Sequence, residues 1–348
     1  MEADNVNISL TLEAKLNLTM FNTFSMPYFR AFVLTFKVLT PTWPAIIIFG
    51  VLANTPNIVT FLKAGIKDNV IVLLFSLSVS DLAFLIFNTP SVCGFVILNY
   101  ARNWQWPFDD SFVMYLFYWP AFTAYDLSAF ISVTLGVVRC ACVAMPLRFK
   151  SVFTKSRTVK MVVLLVVLLR VPVLSIFRIA WRTDPTTNVS SVYLAAVNRD
   201  SMARINDVLN RGFVIWINFT VMIICVSVLI FKLYEASKIR RSCAVNQTTE
   251  QTASHGLASK DLQLIKSVVL VCTIFIVSQL PFLLYSTGRL INPELSVTSQ
   301  FRHLFTTFTI VSNTLSYLNA SLNIFVYYNF NSKYRSAFLS MISLKQKN

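Results

Sequence analysis

Residues 69–100 read NVIVLLFSLSVSDLAFLIFNTPSVCGFVILNY, a long apolar run that carries a single charge, Asp81. A helix that crosses roughly 30 Å of hydrocarbon needs about 20 mainly apolar residues, so this run is long enough to span a bilayer. A carboxyl group in lipid is costly, and Asp81 is therefore expected to face a protein interior. Six more runs have the same character: Val38–Leu62, Ser111–Val138, Met161–Ile179, Gly212–Phe231, Ser267–Gly288 and Leu304–Asn331. Only Asp81, Asp126, Arg170 and Arg178 are charged within them. The expected fold is an all-α membrane protein. Residues 1–37 form a tail outside the membrane and 38–331 a seven-transmembrane helix bundle. Residues 332–348 hold a short cytoplasmic amphipathic eighth helix and a tail.

Composition agrees with this reading. Of 348 residues, 55% are hydrophobic and only 13% charged, with a mean hydropathy of +0.63. Soluble domains carry about a quarter charged residues, so water on all sides is excluded. The net charge of +15 raises the question of nucleic acid, and its distribution answers it. Lys63 and Lys67 follow the first span; Arg148, Lys150, Lys155, Arg157 and Lys160 follow the third. Lys232, Lys238, Arg240, Arg241, Lys260 and Lys266 lie between the fifth and sixth, and Lys333, Arg335, Lys345 and Lys347 after the last. The alternate loops mix signs. That asymmetry is the positive-inside pattern, which places the N-terminus outside and rejects a nucleic-acid partner. The sequons at Asn7, Asn17 and Asn188 fall on the outer side and read as glycosylation sites. Sequons at Asn218, Asn319 and Asn246 fall inside spans or on the cytoplasmic side and read as chance. The acidic start, Glu2 and Asp4, does not resemble a signal peptide, so the first span is expected to direct insertion.

The polar residues inside the spans narrow the class. The first span has Gly50-Val51-Leu52-Ala53-Asn54 and the second Leu77-Ser78-Val79-Ser80-Asp81-Leu82. The third ends in Val138-Arg139-Cys140, followed by Pro146-Leu147. Phe275 precedes Pro281 in the sixth. The seventh holds Asn323-Ile324-Phe325-Val326-Tyr327, with Asn331, Tyr334-Arg335 and Phe338 beyond it. In order and spacing these resemble the landmarks of rhodopsin-like G protein-coupled receptors over about residues 38–340. Met145-Pro146-Leu147-Arg148-Phe149-Lys150, with Phe153-Thr154-Lys155-Ser156-Arg157-Thr158, is most similar to chemosensory-type receptors of molluscs. Invertebrate neuropeptide receptors share much of it.

The chain departs from the family pattern at several places. Val138 stands where an acid precedes the arginine, Gln279 replaces a tryptophan, and Ile324 replaces a proline. The fifth span has no proline and the fourth no tryptophan. Met114 takes the place of the outer cysteine of the third span. All six cysteines (Cys93, Cys140, Cys142, Cys225, Cys243 and Cys272) fall in spans or on the cytoplasmic side, where reduced thiols are expected. Without the family's outer disulfide, the second outer loop is expected to be more mobile.

The resemblance implies three groups of functional residues. Asp81 with Ser128, Asn319 and Asn323, beside Asn54, would hold a sodium ion; a protonated polar core without an ion remains the alternative. No other cofactor is implied. Arg139 and Asp261 would form an ion pair that latches the closed state, with Phe275, Pro281, Asn323 and Tyr327 as switch positions. Val138 removes one restraint on Arg139, which predicts elevated basal activity. Asp126 and Arg170 could meet near the ligand cavity, either as a structural salt bridge or as a pair that binds a zwitterion such as an amino acid or small peptide. Ala121, Gln279 and Tyr317 complete the expected ligand contacts. Ala121 stands where amine receptors carry an aspartate, and no lysine near Tyr317 could hold retinal.

Two histidines are too few for a metal site, and no nucleophile–base pair or phosphate loop is present, so no enzymatic activity is assigned. The expected function is a plasma-membrane receptor that senses an extracellular small-molecule or peptide ligand and activates a heterotrimeric G protein. The alternatives are a neuropeptide receptor, a receptor-derived protein that has lost signalling, and, with few interior charges to support it, a channel or transporter.

Overall fold

The computed structural model describes residues 28–66, 69–100, 114–144, 154, 156–161, 164, 177–183, 190–196, 213–245, 252–292, 294–295, 299–330 and 332–345. Lipid offers no partner for backbone N–H and C=O groups, and helices satisfy their own. The chain accordingly forms α1 (Tyr28–Ala64), α2 (Asn69–Tyr100), α3 (Trp119–Ala144), α4 (residues 156–161), α5 (Ile215–Val245), α6 (Thr252–Ile291), α7 (Arg302–Phe330) and α8 (Ser332–Lys345). Helices α1, α2, α3, α5 and α6 are long and apolar enough to cross a membrane. Helix α7 is less apolar because its inner face carries Ser312, Thr314, Ser316, Asn319, Ser321 and Asn323, all buried.

Five boundaries differ from expectation, two because α5 runs on past Phe231 to Val245 and α6 begins at Thr252, before Ser267; the other three are as follows. The first helix starts at Tyr28, so residues 28–37 are helical and continuous with the first span. At 37 residues α1 is about 55 Å long and projects well past the hydrocarbon. Its first turns are held by rings: Phe29 and Phe32 pack on His303 with centroids 5.1 and 5.3 Å away, and Phe36 packs on Phe95 at 5.6 Å. A 3-10 turn at Thr40–Thr42 follows, where Pro41 and Pro44 supply no N–H. Second, the expected fourth span reached Ile179, but residues from Phe177 are extended. Phe177–Thr183 (β1) pairs antiparallel with Ser190–Ala196 (β2), Phe177 opposite Ala196 and Thr183 opposite Ser190. In FRIAWRT the two arginines fall an even four residues apart, a spacing compatible with a strand that a hydropathy window averages away. Arg178 is thus a strand residue. Residues 165–176, Arg170 among them, lie outside the described residues. Third, α3 runs to Ala144, so Arg139 sits inside the helix.

The bundle has polar residues within and apolar ones outside. Leu52, Ile224, Phe231, Val277 and Ile291 are exposed, as a lipid-facing surface requires, whereas Asn54, Asn57, Thr60, Asp81, Ser128 and Asn323 are buried. Helix α3 packs on α2, α5 and α6; α7 packs on α1, α2 and α6; α8 packs on α1 and α7. One apolar core joins Leu73, Leu77, Leu135, Val138, Met222 and Phe275 toward the face that carries α8. A second joins Trp43, Phe84, Leu85, Ala121, Tyr125 and Tyr317 toward the face where α1 begins. Gly65, with φ 79°, ends α1 in a conformation open to a residue without Cβ.

Candidate functional site

Asp81 lies at mid-length in α2 and is 1% exposed. The Ser128 hydroxyl from α3 donates to its Oδ1 at 2.6 Å, and the Asn323 amide from α7 donates to its Oδ2 at 2.7 Å. Both carboxyl oxygens therefore act as acceptors. Asn54 belongs to the same layer but turns away: its amide donates to the carbonyls of Ala320 (2.7 Å) and Gly50 (3.0 Å). Asn319 is buried one turn before Asn323 and is not among the hydrogen-bond partners of Asp81 in the described residues. The structure thus brings together Asp81, Ser128 and Asn323, with Asn54 and Asn319 as neighbours. The set is entirely oxygen and amide, the chemistry that suits a hard cation such as sodium. The Ser128 oxygen can face an ion while its O–H continues to donate to Asp81.

A cavity of about 30 Å³ opens between α3, α5 and α6. Asp126, Asn218 and Gln279 supply its polar atoms, and Phe130, Phe219, Phe275 and Phe282 its walls. Room for only a water or two means that a ligand would have to part these helices to enter. Gln279 donates to the Tyr125 hydroxyl at 2.7 Å, and Ser316 Oγ lies 2.9 Å from that hydroxyl. One phenol oxygen thereby ties α3, α6 and α7 together beside the cavity.

The other expected ligand residues separate. Ala121 and Tyr317 do not line this cavity; they are packed in the core with Trp43 and Phe84. Their small and aromatic volumes fill the space between α1, α2, α3 and α7, and Tyr317 meets Trp43 edge to face. Asp126 and Gln279 do line it, and Phe275 joins them. Arg170, Asn7, Asn17 and Asn188 lie outside the described residues.

Switch positions are placed as follows. Phe275 is 2% exposed, at the junction of the cavity and the α8-side core. Pro281 stands inside α6 six residues later, where it cannot donate to the carbonyl of Val277. Tyr327 is buried between Phe61 and Tyr334. Val138 is fully buried in the apolar core, next to Arg139 on α3. Asp261 falls within α6, which packs on α3, but its side chain is outside what the structure describes.

Three residues escape the sequence reading, Tyr125, Ser316 and Asn57, and Tyr334 enters it only as a landmark of the helix beyond the last span. A signal existed for Asn57, since Asn54, Asn57 and Thr60 repeat at three-residue spacing on one face of α1. Cys140 donates to the Cys225 carbonyl at 3.1 Å, which makes the thiols part of helix packing.

Apolar helices closed around a buried aspartate, with a cavity toward one face and an arginine toward the other, make up a multi-span membrane bundle. The sequence matches the family described as 7 transmembrane receptor (rhodopsin family) over residues 58–327, and the chain belongs to that family. No protein with a curated description matches it. Membership makes the chain a multi-pass membrane protein with a receptor's signalling role rather than an enzyme's.

Proposed function

We propose that the chain senses an extracellular ligand in the α3–α5–α6 cavity and activates a heterotrimeric G protein at the α8 side. The observation that carries this reading is the junction at Tyr125, where Gln279 beside the cavity and Ser316 on α7 share one hydroxyl. A ligand that binds one arrangement of α6 better than another shifts the bundle by that difference in affinity. Asp126 among phenylalanine rings suits a ligand with an ammonium group, such as an amino acid or small peptide. The similarity of residues 145–158 to molluscan chemosensory-type receptors favours a chemosensory role, with a neuropeptide receptor as the alternative. The basic loops favour a plasma-membrane orientation with the N-terminus outside.

Asp81, with Ser128, Asn319 and Asn323, is the proposed sodium site, supported by two carboxyl oxygens that both accept hydrogen bonds. Arg139 and Asp261 are the proposed latch. Val138 leaves the latch with one restraint fewer, and basal activity is expected to be high. Val138→Asp should lower basal nucleotide exchange at equal surface expression, whereas Val138→Asn, equally polar but uncharged, should not.

The primary test is nucleotide exchange on a panel of G proteins by the unmodified chain, Arg139→Ala and Asp261→Ala. Exchange that rises in Asp261→Ala and vanishes in Arg139→Ala supports a coupled receptor. Silence across the panel, with the receptor at the surface, transfers the weight to a receptor-derived protein that no longer signals.

A further inference from the structure

Helices α3, α5 and α6 each bring one thiol to the same place in the bundle: Cys140, Cys225 and Cys272. The Cys140 thiol donates to the Cys225 carbonyl at 3.1 Å, and the two sulfurs face each other within reach of an S–H···S contact. Gly136 lies one turn before Cys140 on α3, and a Cβ there would stand 3.5 Å from Cys272 Sγ and 3.6 Å from Cys225 Cβ. With only hydrogen at that position, α5 and α6 lie close against α3. All three cysteines are free thiols.

The thiols differ in access. Cys140 is partly exposed, Cys225 is buried and Cys272 is fully buried. Cys142 is also partly exposed, but it follows Cys140 by two residues, a spacing at which helical side chains do not face the same way. A reagent small enough to enter the seam between α3 and α5 therefore meets Cys140 first, with Cys225 as the neighbouring sulfur. Thiols on the cytoplasmic side are kept reduced, and the disulfides that do form there are transient and redox-sensing. Cys140 directly follows Arg139 on α3, so a bond made at this thiol is made beside the arginine of the α8-side face.

We propose that Cys140 and Cys225 are an oxidisable dithiol, which hydrogen peroxide converts to a disulfide that staples α3 to α5 beside Arg139. In the first step the Cys140 thiol takes one oxygen of the peroxide, whose O–O bond breaks, and becomes a sulfenic acid as water leaves. In the second the Cys225 sulfur attacks the Cys140 sulfur; the S–S bond forms, and the hydroxyl leaves as water with the Cys225 proton. Two thiols and one peroxide thus give one disulfide and two waters, and a dithiol reductant reverses the change. The staple fixes the spacing of α3 and α5 found in the closed bundle. Its effect on signalling rests on the function proposed above; the chemistry of the pair does not.

Peptide mapping by mass spectrometry reads the pair with neither ligand nor G protein, on the full chain in lipid nanodiscs treated with hydrogen peroxide and then alkylated. Alkylation of Cys140 and Cys225 should be lost in equal measure, and peptides joined through these two residues should appear. Dithiothreitol should reverse both changes. Cys140→Ser keeps an O–H for the Cys225 carbonyl, so the helices stay packed, and it should abolish the link. Cys142→Ser and Cys272→Ser should leave the link intact. A link from Cys225 to Cys142 or Cys272, oxygen gained at Cys140 without a link, or thiols that stay unreacted would overturn the proposal. With peroxide removed before the G protein is added, basal nucleotide exchange should fall after oxidation and recover with dithiothreitol, and the Cys140→Ser chain should not respond to peroxide. A link that forms while exchange is unaltered would remove the regulatory role. A link in a chain that shows no exchange in either state would uphold the dithiol and sink the signalling reading.

Discussion

At Tyr125 the hydroxyl is shared by residues of two other helices, and its loss can be gauged. Tyr125→Phe leaves the Gln279 amide without its acceptor in a buried site, which costs about 1–3 kcal/mol. Thermal unfolding of the purified receptor should show a lower midpoint, and Gln279→Leu in the Tyr125→Phe background should recover part of it. If the double variant is as unstable as the sum of the singles, the two side chains are not coupled. Gly50 offers a test of packing. A Cβ there would overlap Ser321 Oγ and Leu85 Cδ1, so α1 can approach α7 only because this side chain is absent. Gly50→Val should cost about 1–3 kcal/mol by overpacking and reduce surface expression, whereas Val51→Ala, on the neighbouring position, should be tolerated. The sequence identified Asp81, Ser128 and Asn323 correctly as neighbours in space, because a family landmark marks each. It could not reveal the role of Tyr125: a tyrosine in an aromatic-rich span reads as packing until its partners, 154 and 191 positions away, are known.

Among the elements, long apolar runs are legible because hydropathy summed over about 20 residues overwhelms any single polar position. The expected bounds of α2 hold, and those of α7 hold to within two residues. What fails are the ends. Residues 28–37 join α1 through ring contacts with residues near 95 and 303, a tertiary cause that no local window contains. The hairpin of β1 and β2 is missed for the opposite reason, since its period-2 pattern is local but short. The docked start of α1 is expected to depend on pH through His303. That imidazole is held below its ordinary 6.5, first by desolvation and then by the positive charge of Arg302. The Arg302 side chain also donates to His303 Nε2 at 3.4 Å, an acceptor that protonation removes. The docked state therefore prefers neutral histidine: its stabilisation is complete above pH 6.5 and is lost as pH falls below that value toward the depressed pKa. The protection of amides 28–39, with exchange referred to its intrinsic rate at each pH, should fall between about pH 7.5 and 5.5 and stay constant in His303→Gln. A pH response that persists in His303→Gln would remove the imidazole from the explanation.

In the whole molecule, the polar layer at Asp81 joins α2, α3 and α7 through hydrogen bonds at one level. Two chemistries fit that layer. An ionised Asp81 accepts from both Ser128 and Asn323, as the donors are arranged, and leaves a net negative charge that a sodium ion would offset. A protonated Asp81 would have to give its proton to an acceptor, which neither of these donors provides without turning over. The first arrangement predicts linkage. An ion that binds the closed bundle adds about 1.4 kcal/mol of stability for each tenfold rise in concentration above its dissociation constant. The melting midpoint of the receptor should then rise with sodium chloride and stay flat with choline chloride at the same ionic strength, which removes general screening. Asp81→Asn should abolish the difference, since the neutral amide can turn its oxygen to the Asn323 donor and its N–H to the Ser128 oxygen but carries no charge to hold the ion. Basal nucleotide exchange should fall with sodium in the unmodified chain and not in the variant, because the ion draws the population toward the closed state. Equal midpoints in the two salts would mean that Asp81 holds its own proton, and the layer would then be a polar clamp without an ion.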